Sequence, residues 1–115
     1  MFRPPPPDVP AVTAEEAAAM VDDGALLIDI RELKEWKMLR IPGADFKPMS
    51  EIQDWYEDLP RDVDIILQCR SGQRSGQATQ ALINQAGFDR VFNLTGGIIA
   101  WHSANLPVDR GPVPD

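Results

Sequence analysis

A chain of 115 residues has room for one hydrophobic core and too little for two ordinary ones, so a single domain is expected. With 43% hydrophobic and 25% charged residues it reads as globular rather than disordered or fibrous. A formal net charge of -7 repels nucleic acid and anionic membrane surfaces at long range, so neither is expected as a partner and any anion site must be local.

Residues 1–12 read as a proline-rich N-terminal arm, in which Arg3-Pro4-Pro5-Pro6-Pro7-Asp8 is extended because proline fixes φ and donates no hydrogen bond. A stiff extension is the preferred reading over a ligand for a polyproline-binding module. Met1 to Val12 lacks the apolar core of a secretory signal, and no apolar run reaches the roughly 20 residues of a membrane helix, so the chain reads as cytoplasmic. Ordered structure is expected from Thr13, whose side chain caps a helix while Glu16 closes a capping box. That helix ends near Asp22-Asp23-Gly24.

Ala25-Leu26-Leu27-Ile28-Asp29-Ile30 is short, apolar on both faces and bounded by glycine, the pattern of a strand covered on both sides. Glu32 to Leu39 follows as a polar helical stretch, then a turn at Ile41-Pro42-Gly43, then an amphipathic helix after Ser50 with Gln53 completing a second capping box. Val63 to Gln68 is a second buried strand. Beyond Cys69 and a glycine-containing loop, Ser75 to Ala86 carries Ala78, Leu82 and Ile83 at helical spacing and stops at Gly87. Arg90 to Leu94 reads as the last strand, Gly96-Gly97 as a turn and Ile98 to Ser103 as a terminal helix. The domain so drawn covers 13–108, with 109–115 as a C-terminal tail. Strands alternating with helices predict an α/β fold, a parallel sheet covered on both faces, with ligands bound beyond the carboxyl ends of the strands.

Cys69 falls at such an end. As the chain's one cysteine it excludes an intrachain disulfide, a Cys-x-x-Cys redox pair and a cysteine-rich zinc site, and no cofactor or metal ion is called for. A lone cysteine is ordinarily a small buried hydrophobe, but its neighbours here argue otherwise. Cys69-Arg70-Ser71-Gly72-Gln73-Arg74-Ser75 combines a thiol, two guanidiniums, a glycine able to take φ > 0 and a following helix N-terminus, each of which favours an anion. Helix N-terminal N–H groups and arginines stabilise a thiolate, and successive backbone N–H groups make a nest for a charged atom bonded to the cysteine sulfur. Arg70, Ser71, Gly72, Gln73, Arg74 and Ser75 are therefore the candidate substrate-binding residues and Cys69 the candidate nucleophile. An ordinary βα turn needs neither the thiol nor two arginines in an acidic protein.

The same loop resembles the active-site loop of rhodanese domains. Leu27-Ile28-Asp29-Ile30-Arg31-Glu32 resembles that family's first strand motif, Ile41-Pro42-Gly43-Ala44 its next turn, and Asn93-Leu94-Thr95-Gly96-Gly97-Ile98-Ile99-Ala100-Trp101 its C-terminal signature. Four motifs in family order span Thr13 to Val108. The resemblance implies a three-layer α/β/α rhodanese-like fold with a mostly parallel sheet of about five strands. It also implies a sulfurtransferase in which Cys69 takes a sulfane sulfur as a persulfide and the backbone from Arg70 to Arg74 cradles the outer sulfur. The expected donors are thiosulfate or a persulfide, and the expected acceptors cyanide, a thiol or a protein. Both nucleophile and leaving group are stable anions, so no general base is required, which suits a chain with one histidine.

Phosphatases and arsenate reductases on the related fold separate cysteine and arginine by five residues, whereas Cys69 and Arg74 have four between them. A shorter ring of N–H groups suits one sulfur atom; a tetrahedral oxyanion needs a wider one. Asp29 and Arg31 read as a scaffold ion pair rather than substrate contacts, Trp101 as packing, and His102 as a surface residue. Arg40 stands where many family members have histidine. Thiosulfate-specialised members carry basic residues at two positions occupied here by Ser71 and Glu35, which leaves the donor open between thiosulfate and a persulfide. Three functions satisfy the sequence: an enzyme for small sulfur compounds, a protein-to-protein persulfide carrier, and a non-catalytic interaction module.

Overall fold

The computed structural model describes residues 9–111. Five parallel strands form one sheet in the order β1-β6-β5-β2-β4: Ala11–Val12 (β1), Leu26–Asp29 (β2), Asp45–Phe46 (β4), Ile65–Gln68 (β5) and Val91–Leu94 (β6). Alternation along the central strands sends side chains into two separate cores. Ile28, Ile65 and Leu67 meet Trp55, Leu82 and Phe88 on one face, while Leu27, Ile66 and Leu94 meet Ala17, Ile98 and Trp101 on the other. Among the described residues, Ala14–Asp22 (α1), Ile52–Trp55 (α3), Gln73–Ala86 (α4) and Gly97–Ser103 (α5) are the helices that cover these faces, while Leu33–Met38 (α2) buries no residue. A two-stranded antiparallel ribbon, Leu39–Arg40 (β3) with Asp109–Arg110 (β7), closes one side.

Local signals account for most boundaries. Thr13 Oγ1 accepts from Glu16 N–H at 3.1 Å and Thr13 N–H donates to Glu16 Oε1 at 2.8 Å, the reciprocal cap expected at the start of α1. Gly87 ends α4 in the left-handed conformation, φ 73°, as a C-terminal glycine does.

Other expectations need correcting. Ordered structure begins before Thr13: Ala11 and Val12 pair with Asn93 and Leu94, so the end of the proline-rich arm is an edge strand, while Arg3–Asp8 lies outside the described residues. Asp109 and Arg110, expected in a tail, form β7. Two-residue strands are too short to show alternation, which is also why β3 and β4 escaped notice. The expected capping box at Ser50 and Gln53 does not form, and the segment is a single α-helical turn between 3-10 turns at Met49–Glu51 and Tyr56–Asp58. Ser50 Oγ instead donates to Glu32 Oε1 at 3.2 Å, so a tertiary partner has displaced the local one.

Arg40 is buried within the ribbon. Its guanidinium donates to the carbonyls of Trp36, Lys37 and Gly111 and lies over the Trp36 ring, tying α2 to the C-terminal strand.

Candidate active site

β5 ends at Gln68, and Cys69 begins the loop that leads into α4. The Cys69 side chain points inward and is 1% exposed. Its sulfur accepts from Gly72 N–H at 3.1 Å and from Ser75 N–H at 3.4 Å, with Ser75 Oγ at 3.3 Å. The first N–H groups of an α-helix have no acceptor within it, and α4 turns one of them onto this sulfur. Gly72 makes that turn possible. It precedes α4 with φ 96°, and a Cβ there would lie 3.1 Å from Gly96 N and 3.2 Å from the Leu94 carbonyl.

The loop is pinned from beneath by the C-terminal motif. Asn93, buried at the end of β6, accepts from Ser75 Oγ–H at 2.6 Å through Oδ1 and donates from Nδ2 to the Gly72 carbonyl at 3.1 Å. One side chain thus holds both ends of the turn around the sulfur. The Cys69 carbonyl accepts from Ile98 N–H at 2.9 Å and Gln68 Nε2 at 3.0 Å, and the Arg70 carbonyl from Ile99 N–H at 3.2 Å. With its own carbonyls tied to α5, the loop presents its amides to the cysteine.

Of the candidate residues, Gly72 and Ser75 reach the sulfur directly. Ser71 and Gln73 are half-buried on the loop and at the first position of α4, and Arg70 is exposed beside the cysteine. Arg74 lies in the first turn of α4. Its guanidinium forms a bidentate pair with Glu35 of α2, both contacts 2.8 Å, so its charge is matched by a carboxylate rather than left for a ligand. Asn93, Gly97 and Glu35 were not singled out as site residues. Asn93 and Gly97 stood in a motif already noted, but their contact with the loop depends on tertiary placement.

Asp29 and Arg31 form the scaffold pair expected. Both are buried, Arg31 NH2 is 2.7 Å from Asp29 Oδ2, and the same nitrogen reaches the Leu39 carbonyl, fixing the end of β2 to the end of α2. Trp101 is buried with its indole N–H on the Pro107 carbonyl at 2.8 Å, and His102 is exposed.

The hydrogen bonds from Arg74 hold the Glu35 carboxyl down at about 2, against an ordinary 4.5, and the same contact raises Arg74. A carboxylate lowered in the fold contributes stability that is complete above its unfolded value and lost as pH falls through the folded one. Glu35→Gln is therefore expected to lower stability at neutral pH by up to about 1 kcal/mol, given the pair's partial exposure. The difference from wild type should disappear between pH 4.5 and about 2, as urea unfolding across that range would record. A difference that grows on acidification would mean the pair does not form in solution.

Known proteins resemble this chain over most of its length. The chain is 44% identical over 86 residues to a sulfurtransferase of Allochromatium vinosum, covering 75% of this chain and 79% of that protein. It is 33% identical over 92 residues to the thiosulfate sulfurtransferase GlpE of Vibrio cholerae, covering 80% and 86%. The crystal structure of a thiosulfate sulfurtransferase from Pseudomonas aeruginosa superimposes with a TM-score of 0.80 at 31% identity, over 91% of this chain and 21% of that one. The rhodanese-like domain matches residues 13–104. With the match running through the strand motif, the cysteine loop and the glycine pair beneath it, the chain belongs to the rhodanese-like domain family.

Proposed function

We propose that this protein is a sulfurtransferase and that Cys69 is its nucleophile. The observation that carries the reading is the buried sulfur with the N–H groups of Gly72 and Ser75 directed at it and the Ser75 oxygen 3.3 Å away. The sulfurtransferase names of the relatives support the reaction class.

The Cys69 thiolate attacks the outer sulfur of a sulfane donor, forming the Cys69 S–S bond as the donor's own S–S bond breaks. The leaving group departs with the electron pair, as sulfite when thiosulfate is the donor. Cys69–S–S⁻ then carries its charge on the outer sulfur, where the loop's first-turn N–H groups stabilise it as they would an oxyanion. Cyanide or a thiolate attacks that atom and releases Cys69. Each step exchanges one stable anion for another, and none of the atoms around the sulfur needs to act as a base.

Incubation with a sulfane donor is expected to add one sulfur atom to Cys69, seen by mass spectrometry of the intact protein and of the peptide carrying the loop. Cyanide should remove it and yield thiocyanate. A folded protein that stays unmodified with thiosulfate, thiosulfonates and persulfides alike would end this reading.

A further inference from the structure

The hydrogen of the Ser75 hydroxyl has two neighbours that could take it, Cys69 Sγ and Asn93, and the network beneath the loop decides between them. Asn93 Nδ2 is 3.1 Å from the Gly72 carbonyl, an oxygen that only accepts, so that end of the amide is the nitrogen and the other is Oδ1. Oδ1 also only accepts, and it lies 2.6 Å from Ser75 Oγ, so the hydroxyl hydrogen points at Asn93. What Ser75 Oγ turns toward Cys69 Sγ, 3.3 Å away, is therefore a lone pair. Ser75, Cys69 and Asn93 are each at most 2% exposed, so bulk water does not relieve the contact.

A lone pair suits some states of that sulfur and opposes another. A thiol donates its S–H to it, and the inner sulfur of a persulfide, which carries neither hydrogen nor charge, lies beside it unopposed. A bare thiolate meets it as one electron-rich atom meets another, and is left with the Gly72 and Ser75 N–H groups as donors.

We infer that Asn93 is a positioning residue that turns the Ser75 hydroxyl away from Cys69, and that the pair thereby favours the sulfur-loaded cysteine over the bare thiolate. The direction of the hydroxyl stands on the hydrogen-bond network alone; its consequence for loading rests on the sulfurtransferase reading above. Cys69–S–S⁻ carries its charge one atom further out, so the contact that opposes the thiolate does not oppose the persulfide, and the site holds the sulfur it has accepted.

Two substitutions and their combination test this. Ser75→Ala deletes the lone pair, so the ultraviolet absorbance of the Cys69 thiolate, titrated with the matching Cys69→Ser protein as blank, should develop at lower pH, with about three- to tenfold more thiolate on the rising part of the curve. Asn93→Ala frees the hydroxyl to donate to the sulfur and should also move the titration to lower pH. Ser75→Ala made in that background should then move it back up, because the hydroxyl it deletes there is a donor. A merely structural lesion acts in the same direction in both backgrounds, and the charged groups around the loop, Arg70 and the pairs of Arg74 with Glu35 and Arg31 with Asp29, are common to all four proteins. Asn93→Val takes the place of Asn93→Ala if circular dichroism shows the alanine variant unfolded. At a pH above all four titrations, methanethiosulfonate mixed with methanesulfinate should leave Ser75→Ala with a ratio of loaded to unloaded protein about three- to tenfold below wild type, read by intact mass. A titration that moves up in Ser75→Ala, or the same direction of shift in both backgrounds, would overturn the assigned direction of the hydroxyl. An unchanged loaded ratio would overturn its effect on loading. Failure of every sulfane donor to load Cys69 would remove the sulfurtransferase reading, and the titrations would still decide where the hydroxyl points.

Discussion

Cys69→Ser is expected to lower sulfur transfer by more than about 10⁴-fold, to the background of the assay, while the protein remains folded. Serine fits the space, and its hydroxyl can accept the N–H groups of Gly72 and Ser75 that now meet the sulfur, so no buried polar group is stranded. Chemistry is what fails. A hydroxyl needs an adjacent base to become a nucleophile, and the groups bonded to this atom are two backbone amides and the Ser75 hydroxyl. The Ser75 hydroxyl is itself engaged with Asn93, and that amide takes up no proton at neutral pH. Thiocyanate formation and thermal unfolding, measured on the same preparation, separate the two effects. Transfer at even a tenth of the wild-type rate, in a folded variant, would mean that sulfur passes through another group.

Gly97→Ala is expected to damage both fold and activity, because the first residue of α5 lies directly beneath the cysteine loop. Gly97 has φ 59°, in the left-handed region, and a Cβ there would run into the carbonyls of Cys69 and Arg70. Those carbonyls accept the N–H groups of Ile98 and Ile99 and belong to backbone, so neither can swing aside as a side-chain end would. The conformational penalty of about 1 kcal/mol and an overpacking penalty of about 1–3 kcal/mol together predict a loss of roughly 2–4 kcal/mol. For a domain of this size that lowers Tm by more than about 8 °C. Transfer by the fraction that remains folded should fall too, since pushing the two carbonyls upward tilts the amides away from the sulfur. Gly24→Ala supplies the comparison: Gly24 has φ 105° with nothing within 4 Å of its Cβ position, so it measures backbone conformation alone. If Gly97→Ala is no more destabilising than Gly24→Ala, the close approach of α5 to the loop is not what holds the site.

The ion pair between Glu35 and Arg74 bridges α2 and α4, so the acid-stability measurement on Glu35→Gln reports on how these two helices are held together.

How much of this could be read from the residues depends on the range over which each signal acts. The parallel strands at Leu26–Asp29, Ile65–Gln68 and Val91–Leu94 were legible because burial on both faces leaves a continuous apolar run, and α1 and α4 because a capping box and a terminal glycine are local chemistry. The cysteine loop was legible for the same reason, its thiol, glycine and helix start being contiguous. Ser50 shows where local reasoning stops: its side chain had a cap available three residues on and took Glu32 instead, a partner 18 residues away. The strands at Ala11–Val12 and Asp45–Phe46 carry no pattern of their own and exist because the edges of the sheet offer them unpaired amides and carbonyls, while Leu39–Arg40 and Asp109–Arg110 exist because each supplies the other's partners. Arg74 is the plainest case at the site. As a residue type it promised a charge for an anion, and only the approach of α2 to α4 matched that charge with Glu35. The order of residues by itself determined the α/β class, the place of Cys69 at a strand end and the amides that could face it. Tertiary structure decided which side chains hold those amides in place and how much positive charge is left beside them, because hydrogen bonds and ion pairs between distant segments form only once the sheet has brought those segments within 3 Å of one another.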